Sequence, residues 1–395
     1  MATPKAALEG IRVLDLGRYQ AGPRAALILA RLGAEVIKIE APGGDESRAG
    51  GPFVRGQSAY WAQYNSGKKS ITLDLRQEKG KDVLKDLVKV SDILVQNFRP
   101  GTIAEMGFSY EVLQGLNPGI IMLNVSAFGQ DGPYRERVGF DSVGQAIGGL
   151  MSLTGYEGNP PTLTDAPIID RITALHGTIG VLAALREREI SGQGQAIDVC
   201  LADSGFSLTE IPLCHYLGTG VAPHRRGTRS VGSFGSPRQT KDGWALLVAP
   251  SQPIWARVCK CLGKPEWTKD PRFVDRSARE VHGGIVEEEL VRWFASRTTD
   301  EAVETLSAAG IPSAPVNDIA QAARSPQLRA RDLLMEMPDP LAGTIHVSGN
   351  YIRLSRSQTV VGSTPAIGQH TEEVLCGLLH YPAEKVQRLR EGQVI

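Results

Sequence analysis

The sequence predicts an α/β protein, with a large domain built on a parallel, Rossmann-like sheet and a smaller α+β domain. Apolar strands alternate with amphipathic helices along the first third of the chain, and such βαβ units impose parallel pairing with right-handed crossovers. The 395 residues exceed what one hydrophobic core normally spans, and glycine and proline interrupt regular structure between residues 215 and 240. We therefore expect three segments: residues 1–215 in the large domain, 216–335 as linker and small domain, and 336–395 returning to the large domain.

The composition argues against several classes of protein. Lysine plus arginine and aspartate plus glutamate both number 43, so the chain has no basic excess for binding nucleic acid. The five cysteines are scattered, and Cys259-Lys260-Cys261 is too closely spaced for a metal-binding pair, which is typical of a reducing compartment. No run approaches the roughly 18 apolar residues of a membrane helix, and residues 1–10 lack the apolar stretch of a signal peptide. We expect a cytoplasmic protein without a metal, a nucleic-acid partner or a membrane span.

The first βαβ unit raises the question of a dinucleotide site. Residues 10–17 form a predicted buried strand, Pro23 suits the first turn of the next helix, and residues 34–40 form a second strand. Glu40 would then be the ribose ligand of NAD. However, the loop 17–22 has no G-x-G-x-x-G, and bulky side chains stand where the backbone should approach a pyrophosphate. The sequence therefore argues against NAD binding.

Four polar, glycine-marked loops follow four of the predicted strands. Asn97, Phe98 and Arg99 offer an amide, a stacking face and a guanidinium fork in one of these loops. Lys68 and Lys69 place two adjacent cations in a turn, where they are either solvated or contact an anion. Because ligands of open α/β sheets bind at the carboxyl ends of the strands, we expect the loops to line one cleft.

Asp170 begins the most informative helical stretch of the chain. Apolar residues recur at helical spacing from Ile172 to Leu185, which places Asp170 at or just before the helix N-terminus. One interpretation is a helix cap, because aspartate is among the favoured capping residues. The other is a carboxylate nucleophile that the helix end holds ionised and aims into a cleft. The local sequence leaves both interpretations open.

The interrupted segment 215–240 is locally basic, with Arg225, Arg226 and Arg229 among its glycines and prolines. Such a segment is either a linker with a mobile binding loop or a solvated connector. The strand predicted at 244–248 and the helices after it then form the small α+β domain.

Taken together, these segments resemble the class III CoA-transferases. This is the family of formyl-CoA transferase and carnitine CoA-transferase, and it also contains the α-methylacyl-CoA racemases. The match runs nearly from end to end, and the stretches that carry it are 14–23, 32–40, 44–48, 65–75, 96–101, 106–108, 192–199 and 365–371. The family forms interlocked homodimers, in which each ring-like chain is threaded by the other, and the split first domain permits this arrangement.

The resemblance implies a double displacement in which Asp170 is the catalytic nucleophile. It further implies that Gln20 stabilises the oxyanion beside the nucleophile and that Tyr60 is an active-site tyrosine. The residues that it implies for CoA binding are Gln20, Ala21, Leu73, Asp74, Leu75, Arg76, Asn97, Phe98, Arg99 and Met106. We add Lys68 and Lys69 as candidates for a phosphate, because Glu105 and Ala41 stand where the family has basic residues.

The resemblance also bears on the substrates. CoA or acyl-CoA enters as a substrate, and no tightly bound cofactor or metal is implied. Formyl-CoA transferase has a tetraglycine loop where this chain has residues 226–232, so specificity for oxalate is disfavoured. Arg226 and Arg229 would instead suit the far carboxylate of a dicarboxylic acid. We therefore predict transfer of CoA from a donor resembling succinyl-CoA to a small carboxylic acid.

Two alternatives stand beside this prediction. A racemase or epimerase needs a histidine in a Gly-His-Asp context, but here the context is Gly139-Phe140-Asp141, and phenylalanine cannot move a proton. His176 would have to substitute. A non-catalytic acyl-CoA-binding protein would keep the CoA loops but has no use for an ionised Asp170.

Overall fold

The computed structural model describes residues 6–228 and 234–395. Within these ranges the chain divides into two compact units. Unit 1 comprises residues 6–150, 163–220 and 330–395, and unit 2 comprises 151–162 and the described residues of 221–329. The predicted boundaries at 216 and 335 lie close to these divisions, but the sequence offers no signal that residues 151–162 leave the first unit.

The strands are β1 (Arg12–Asp15), β2 (Glu35–Glu40), β3 (Phe53–Val54), β4 (Gln57–Ser58), β5 (Lys69–Thr72), β6 (Ile93–Gln96), β7 (Ile121–Ser126), β8 (Ala196–Cys200), β9 (Pro237–Gln239), β10 (Trp244–Leu247), β11 (Ser313–Pro315), β12 (Leu334–Asp339) and β13 (Gly343–Ser348).

The α-helices are α1 (Ala21–Arg31), α2 (Ala59–Asn65), α3 (Glu78–Lys89), α4 (Thr102–Glu105), α5 (Tyr110–Leu116), α6 (Asp141–Ile147), α7 (Leu150–Leu153), α8 (Ile168–Ser191), α9 (Leu201–Ser207), α10 (Glu210–Thr219), α11 (Gln252–Cys261), α12 (Arg276–Ala295), α13 (Thr299–Ala308), α14 (Ile319–Arg324), α15 (Pro326–Ala330) and α16 (Ala383–Glu391). Short 3₁₀ turns span Glu46–Ala49 and Pro265–Thr268, and a π-helix spans Glu373–Leu378.

A six-stranded parallel sheet organises unit 1, in the order β5-β2-β1-β6-β7-β8. Alternate residues of each strand enter opposite cores, as the period of two requires. Leu14 packs with helices α3 and α5 on one face, whereas Val13 packs with α1 and α8 on the other. The parallel α/β fold predicted from the sequence is therefore confirmed.

The order of the strands reverses between β1 and β6. The chain runs from β1 outward to β2 and β5, and then returns to β6 and continues outward on the other side. At such a switch point the loops after the two central strands diverge and leave a crevice at the carboxyl edge of the sheet. This crevice is where the site lies.

Helices α6 and α7 follow each other closely and are separated at Gly148-Gly149. A Cβ on Gly148 would meet the backbone carbon of Gly205 at 2.3 Å, and one on Gly205 would meet the backbone oxygen of Gly144 at 2.3 Å. The small residues are thus required by the close crossing of α6 and α9.

Strand β13, which begins at Gly343, belongs to unit 1 but pairs with β12 in a separate hairpin. Ile345 and Val347 of this hairpin pack on Ala62 of helix α2, and Gln63 donates a hydrogen bond to Ser348 Oγ at 2.6 Å. The hairpin therefore supports the helix that carries Tyr60.

Unit 2 is an α+β unit, as predicted for the second domain. Its antiparallel sheet has the order β11-β10-β9. Helices α11 to α13 enclose an aromatic core in which Trp255 stacks with Phe234 and Trp267.

Helix α8 is long and apolar enough, by length and composition alone, to cross a membrane. Its residues Ala174, Val181 and Ala184 pack against the parallel sheet. The core helix of a soluble protein passes the same test, so the expectation of no membrane span stays a prediction.

Candidate active site

Two adjoining cavities lie at the carboxyl edge of the parallel sheet, with volumes of about 600 and 500 Å³. They share Arg18, Glu46, Phe98 and Thr102 in their walls, so together they form one cleft. The wall of the larger cavity includes the predicted CoA residues Leu73, Asp74, Leu75, Arg76, Phe98 and Met106. The wall of the smaller includes Gln20, Ala21, Asn97, Phe98, Arg99 and Asp170.

Asn97 joins the two loops at the switch point. Its Oδ1 accepts the backbone N–H of Arg18 at 2.7 Å, and its Nδ2 donates to the backbone oxygen of Arg18 at 2.8 Å. The amide predicted to bind CoA therefore fixes the β1–α1 loop, which carries Gln20, against the loop after β6. Arg18 lies over the ring of Phe98, with 5.4 Å between its Cζ and the ring centroid.

Asp170 is the third residue of helix α8, and Pro167 occupies the capping position. The helix end is capped by a different carboxylate. Asp141 Oδ2 accepts the backbone N–H of Ile169 at 2.7 Å and that of Asp170 at 2.9 Å. The cap interpretation of Asp170 is therefore wrong, because Asp141 satisfies the backbone donors that such a cap would take.

Burial, together with the negative charge of Asp141, raises the pKa of Asp170 to about 7, against the opposing effect of Arg171. The expectation that the helix end holds Asp170 ionised is thus corrected, because desolvation and a like charge outweigh the helix dipole. A carboxylate with this pKa is poorly solvated and more basic than an ordinary aspartate, which suits a nucleophile.

The carboxyl group of Asp141 is itself held in place. Gln145 Nε2 donates to Asp141 Oδ1 at 2.6 Å, and the same amide exchanges hydrogen bonds with the backbone of Thr164. Asp141 thereby links helix α6 to the first turn of α8, and it sets both the position and the pKa of Asp170.

We expect the pH dependence of turnover to reflect the protonation of Asp170 and the negative charge of Asp141 beside it. Since a protonated Asp170 is not a nucleophile, kcat/KM should fall as the pH drops through about 7. Asp141→Asn removes a negative charge beside the carboxyl and should move this acidic limb to lower pH. The measurement is a pH profile of kcat/KM, with Asp165→Asn, an exposed aspartate upstream of the helix, as control. An unmoved limb in Asp141→Asn would contradict the electrostatic role.

Gln20 is almost fully buried at 4 % exposure, directly before helix α1. Its Nε2 has no hydrogen-bond partner within the part of the chain that the structure describes. Buried polar atoms are normally paired, so an orphaned donor in a cavity wall indicates a missing acceptor. An oxyanion that forms beside Asp170 would supply one.

Tyr60 lies on helix α2, with its ring 5.0 Å from that of Tyr64. Burial, then the charges of Tyr64 and Asp170, raise the pKa of Tyr60. Tyr60 is therefore within electrostatic reach of Asp170 and keeps its proton as a hydrogen-bond donor at neutral pH.

The two lysines proposed for a phosphate do not face the cleft. Lys68 is buried, and its Nζ contacts Asp15 Oδ2 at 2.7 Å, Pro23 O at 2.9 Å and Asn65 Oδ1 at 3.0 Å. Burial lowers the pKa of Lys68 to about 8, with Asp15 opposing this effect. The hypothesis is wrong for Lys68, because its ammonium is an internal brace for the β1–α1 loop.

Lys69 begins strand β5 and so lies at the amino edge of the sheet, opposite the cleft. It pairs with Glu35 and Glu373, each at 2.7 Å. The prediction of Lys69 as a phosphate ligand is likewise wrong. All strands of a parallel sheet have their carboxyl ends at the cleft edge, and Lys69 lies at the opposite, amino edge.

Glu40, which would be the ribose ligand in the rejected NAD interpretation, also forms hydrogen bonds within the protein. Arg48 holds both of its carboxylate oxygens at 2.7 Å, and Ser70 Oγ donates to Oε1 at 2.5 Å. The guanidinium Cζ of Arg48 lies 3.7 Å from the centroid of the Trp61 ring. This network fixes the loop after β2 and leaves Glu40 no free oxygen for a ribose.

The cleft has further cations. Lys81 lies in the wall of the larger cavity and Arg137 in that of the smaller, and neither was predicted. Their sequence signal is weak, because each is one charge in a solvated helix turn or loop. Lys81 and Arg137, together with Arg18, Arg76 and Arg99, are the cations in the cavity walls that could form ion pairs with the phosphates of CoA.

Three further residues were predicted for the site or for an alternative function. Arg226 is an exposed residue of unit 2, and Arg229 lies outside the described residues. His176, the candidate racemase base, contacts Ser204 Oγ through Nδ1 at 3.1 Å and is not part of either cavity wall. Over residues 6–228 and 234–395, no cluster of potential ligands could hold a metal ion.

Comparisons with known proteins agree with the geometry. The model of CoA-transferase family III matches residues 8–371. The chain is 36% identical to succinyl-CoA–D-citramalate CoA-transferase of Chloroflexus aurantiacus, with 99% of each chain covered. It is 35% identical to formyl-CoA:oxalate CoA-transferase of Streptomyces avermitilis, with coverage of 98% and 99%.

A solved structure extends the agreement to the fold. The crystal structure of a CaiB/BaiF family protein from Brucella suis superposes with a TM-score of 0.84 and 31% identity, covering 95% of this chain and 100% of that one. On the family model, these relatives and this fold, the chain belongs to CoA-transferase family III and is a CoA-transferase.

Proposed function

We propose that this enzyme moves CoA from a donor resembling succinyl-CoA to a small carboxylic acid through covalent intermediates on Asp170. The observation that carries the proposal is the meeting of two groups in one cavity. These are a poorly solvated carboxyl, Asp170, and a buried amide donor without an acceptor, Gln20.

The chemistry proceeds in four displacements. The Asp170 carboxylate attacks the thioester carbonyl, and the C–S bond breaks to give a mixed anhydride and CoA thiolate. The thiolate attacks the aspartyl carbonyl carbon, which releases the donor carboxylate and leaves an aspartyl-CoA thioester. The acceptor carboxylate then attacks this thioester carbonyl, and its C–S bond breaks to give the second anhydride and CoA thiolate. The thiolate finally attacks the acceptor acyl carbon, which yields the new CoA thioester and restores Asp170.

The residues around Asp170 support each part of this sequence. Its raised pKa reflects poor solvation, which also protects an anhydride from water. Gln20 Nε2 can donate to the oxyanion of each tetrahedral intermediate, and the protonated Tyr60 can donate to a substrate oxygen. The cavity walls that carry Leu73 to Arg76 and Asn97 to Arg99 offer room for CoA on the other side.

The choice of donor rests on relatives. Two of the similar enzymes carry succinyl-CoA in their names, with citramalate or malate as the acid. We propose a dicarboxylic substrate for this chain as well, and Arg226 and Arg229 stay predicted contacts to the acid.

We further propose that the enzyme works as an interlocked homodimer in the cytoplasm. Helices α8 and α10 expose large apolar side chains, among them Ile179 at 62 %, Ile211 at 82 % and Leu217 at 73 %. Apolar surface of this kind marks an interface, and a mass in solution of twice 42.5 kDa would agree with it.

All five cysteines are free thiols, which fits a reducing compartment.

The test is chemical trapping. Incubation with succinyl-CoA and hydroxylamine should convert the activated Asp170 carbonyl to a hydroxamate, which peptide mass spectrometry locates. Free CoA in place of succinyl-CoA is the control, since it cannot acylate the carboxylate. Transfer of CoA without an adduct on the peptide that contains Asp170 would show a direct mechanism and reject the proposal.

A further inference from the structure

One face of helix α1 presents two donors that lack acceptors. Gln20 and Arg24 are one helical turn apart, and the backbone N–H of Arg24 donates to Gln20 O at 2.8 Å. Gln20 Nε2 and Arg24 Nε are both buried, and neither finds a hydrogen-bond partner in residues 6–228 or 234–395. Two orphaned donors on residues one helical turn apart favour one ligand with two acceptor groups.

Among the described residues, no carboxylate is paired with Arg24. Its guanidinium Cζ lies 6.0 Å from the ring centroid of Tyr351, and the other charged or titratable groups that influence it are Tyr64 and Arg171. No carboxylate of the described chain forms an ion pair with it. A partly buried cation without an anion is costly, so this position is built for an anion that comes from elsewhere.

Arg24 is connected to the neighbourhood of the nucleophile through Tyr64, which lies within electrostatic reach of both Arg24 and Asp170. Arg171 directly follows Asp170 and hydrogen-bonds Tyr64, and Tyr64 and Tyr60 are both within electrostatic reach of Asp170. None of Arg24, Tyr60 and Tyr64 belongs to the walls of the cavities that hold the CoA loops. An acyl group attacked at Asp170 and turned away from these cavities would meet this group of side chains, which includes Arg24.

We propose that Arg24 binds the distal carboxylate of a dicarboxylic acyl group, the role that the sequence alone suggests for Arg226 and Arg229, and so determines specificity for such substrates. With the reacting carbonyl oxygen at Gln20, the backbone positions of Gln20 and Arg24 differ by about one helical turn, or about 5.4 Å, along the axis of α1. A four-carbon diacid, whose carboxyl carbons are joined through two further carbons, spans this separation. The inference rests on the proposed function, because it assumes that the thioester is attacked at Asp170.

The experiment compares two acyl-CoA substrates of equal length. Exchange of ¹³C-labelled succinate into succinyl-CoA is measured beside exchange of labelled butyrate into butyryl-CoA, which needs no knowledge of the natural acceptor. Arg24→Gln should lower kcat/KM for succinyl exchange about 100-fold, the order expected when a charged group loses its ionic partner. Butyryl exchange should stay the same or rise, and Arg24→Lys should recover part of the succinyl exchange.

A matched variant separates this effect from CoA binding. Arg18→Gln removes a cation shared by both cavity walls, and it should lower both exchanges by the same factor. Equal losses of both exchanges in Arg24→Gln, with or without loss of the dimer, would overturn the inference and point to a structural or subunit contact. Absence of either exchange in the unmodified enzyme would instead reject the proposed function.

Discussion

Asp170→Ala is expected to lower CoA transfer by at least about 10⁴-fold, because no other group can form the acyl bond when a nucleophile is removed. Binding of CoA should remain within a few-fold of the unmodified enzyme, since the loops after β1, β5 and β6 do not depend on this carboxylate. The measurements are steady-state turnover of succinyl-CoA and the dissociation constant of CoA by calorimetry. The hydroxamate on the peptide that contains Asp170 should disappear.

Asp165→Asn is the matched control for this variant. It changes an exposed carboxylate a short distance before helix α8 and should leave turnover unchanged. Retained turnover in Asp170→Ala would contradict covalent catalysis. Thermal melting should show that Asp170→Ala folds, because the change removes a carboxyl group that is unfavourable to ionise where it lies.

Gln20→Ala is expected to lower kcat by about 10²–10³-fold, the range found when one oxyanion-stabilising donor is removed. The amide is buried beside Asp170 and has no acceptor in the described residues, so its function begins only when an oxyanion forms. Because that interaction is absent in the ground state, the KM for acyl-CoA should change little.

Gln20→Glu provides a second readout for the same position. Its carboxylate is similar in shape but repels an oxyanion, so it should be at least as impaired as the alanine variant. A change confined to KM would contradict the assignment and show that Gln20 binds the substrate in its ground state. Gln193→Ala, which changes an exposed glutamine in the turn after helix α8, is the matched control and should leave kcat unchanged.

Much of the fold could be predicted from local pattern. The strands around Val13, Val36 and Ile93 are short apolar runs between helices, and these runs lie in register as neighbours in the sheet. Apolar strands that alternate with helices are typical of a parallel sheet, because helices cover both faces of such a sheet and its strands are buried on both sides. The loops that line the cleft follow from the same rule, since all parallel strands end at one edge.

Charged side chains were predicted less well. Lys68 and Lys69 form one motif in the sequence, yet Lys68 is buried against Asp15, which lies 53 positions away, and Lys69 points to the opposite edge of the sheet. Whether a lysine is solvated, paired internally or free for a ligand depends on distant partners. The local sequence around a lysine does not identify those distant partners.

The sequence by itself determined the alternation of strands and helices, the glycine-marked loops at one edge of the sheet, and Asp170 in the first turn of a long helix. Only the tertiary structure decided what surrounds that carboxyl. Asp141, 28 positions from Ile169, caps the helix, and burial together with the charge of Asp141 raises the pKa of Asp170. Within the described residues Arg24 has no counter-charge. The physical reason is that backbone pattern is a local property, whereas desolvation and charge pairing depend on which groups the folded chain brings together.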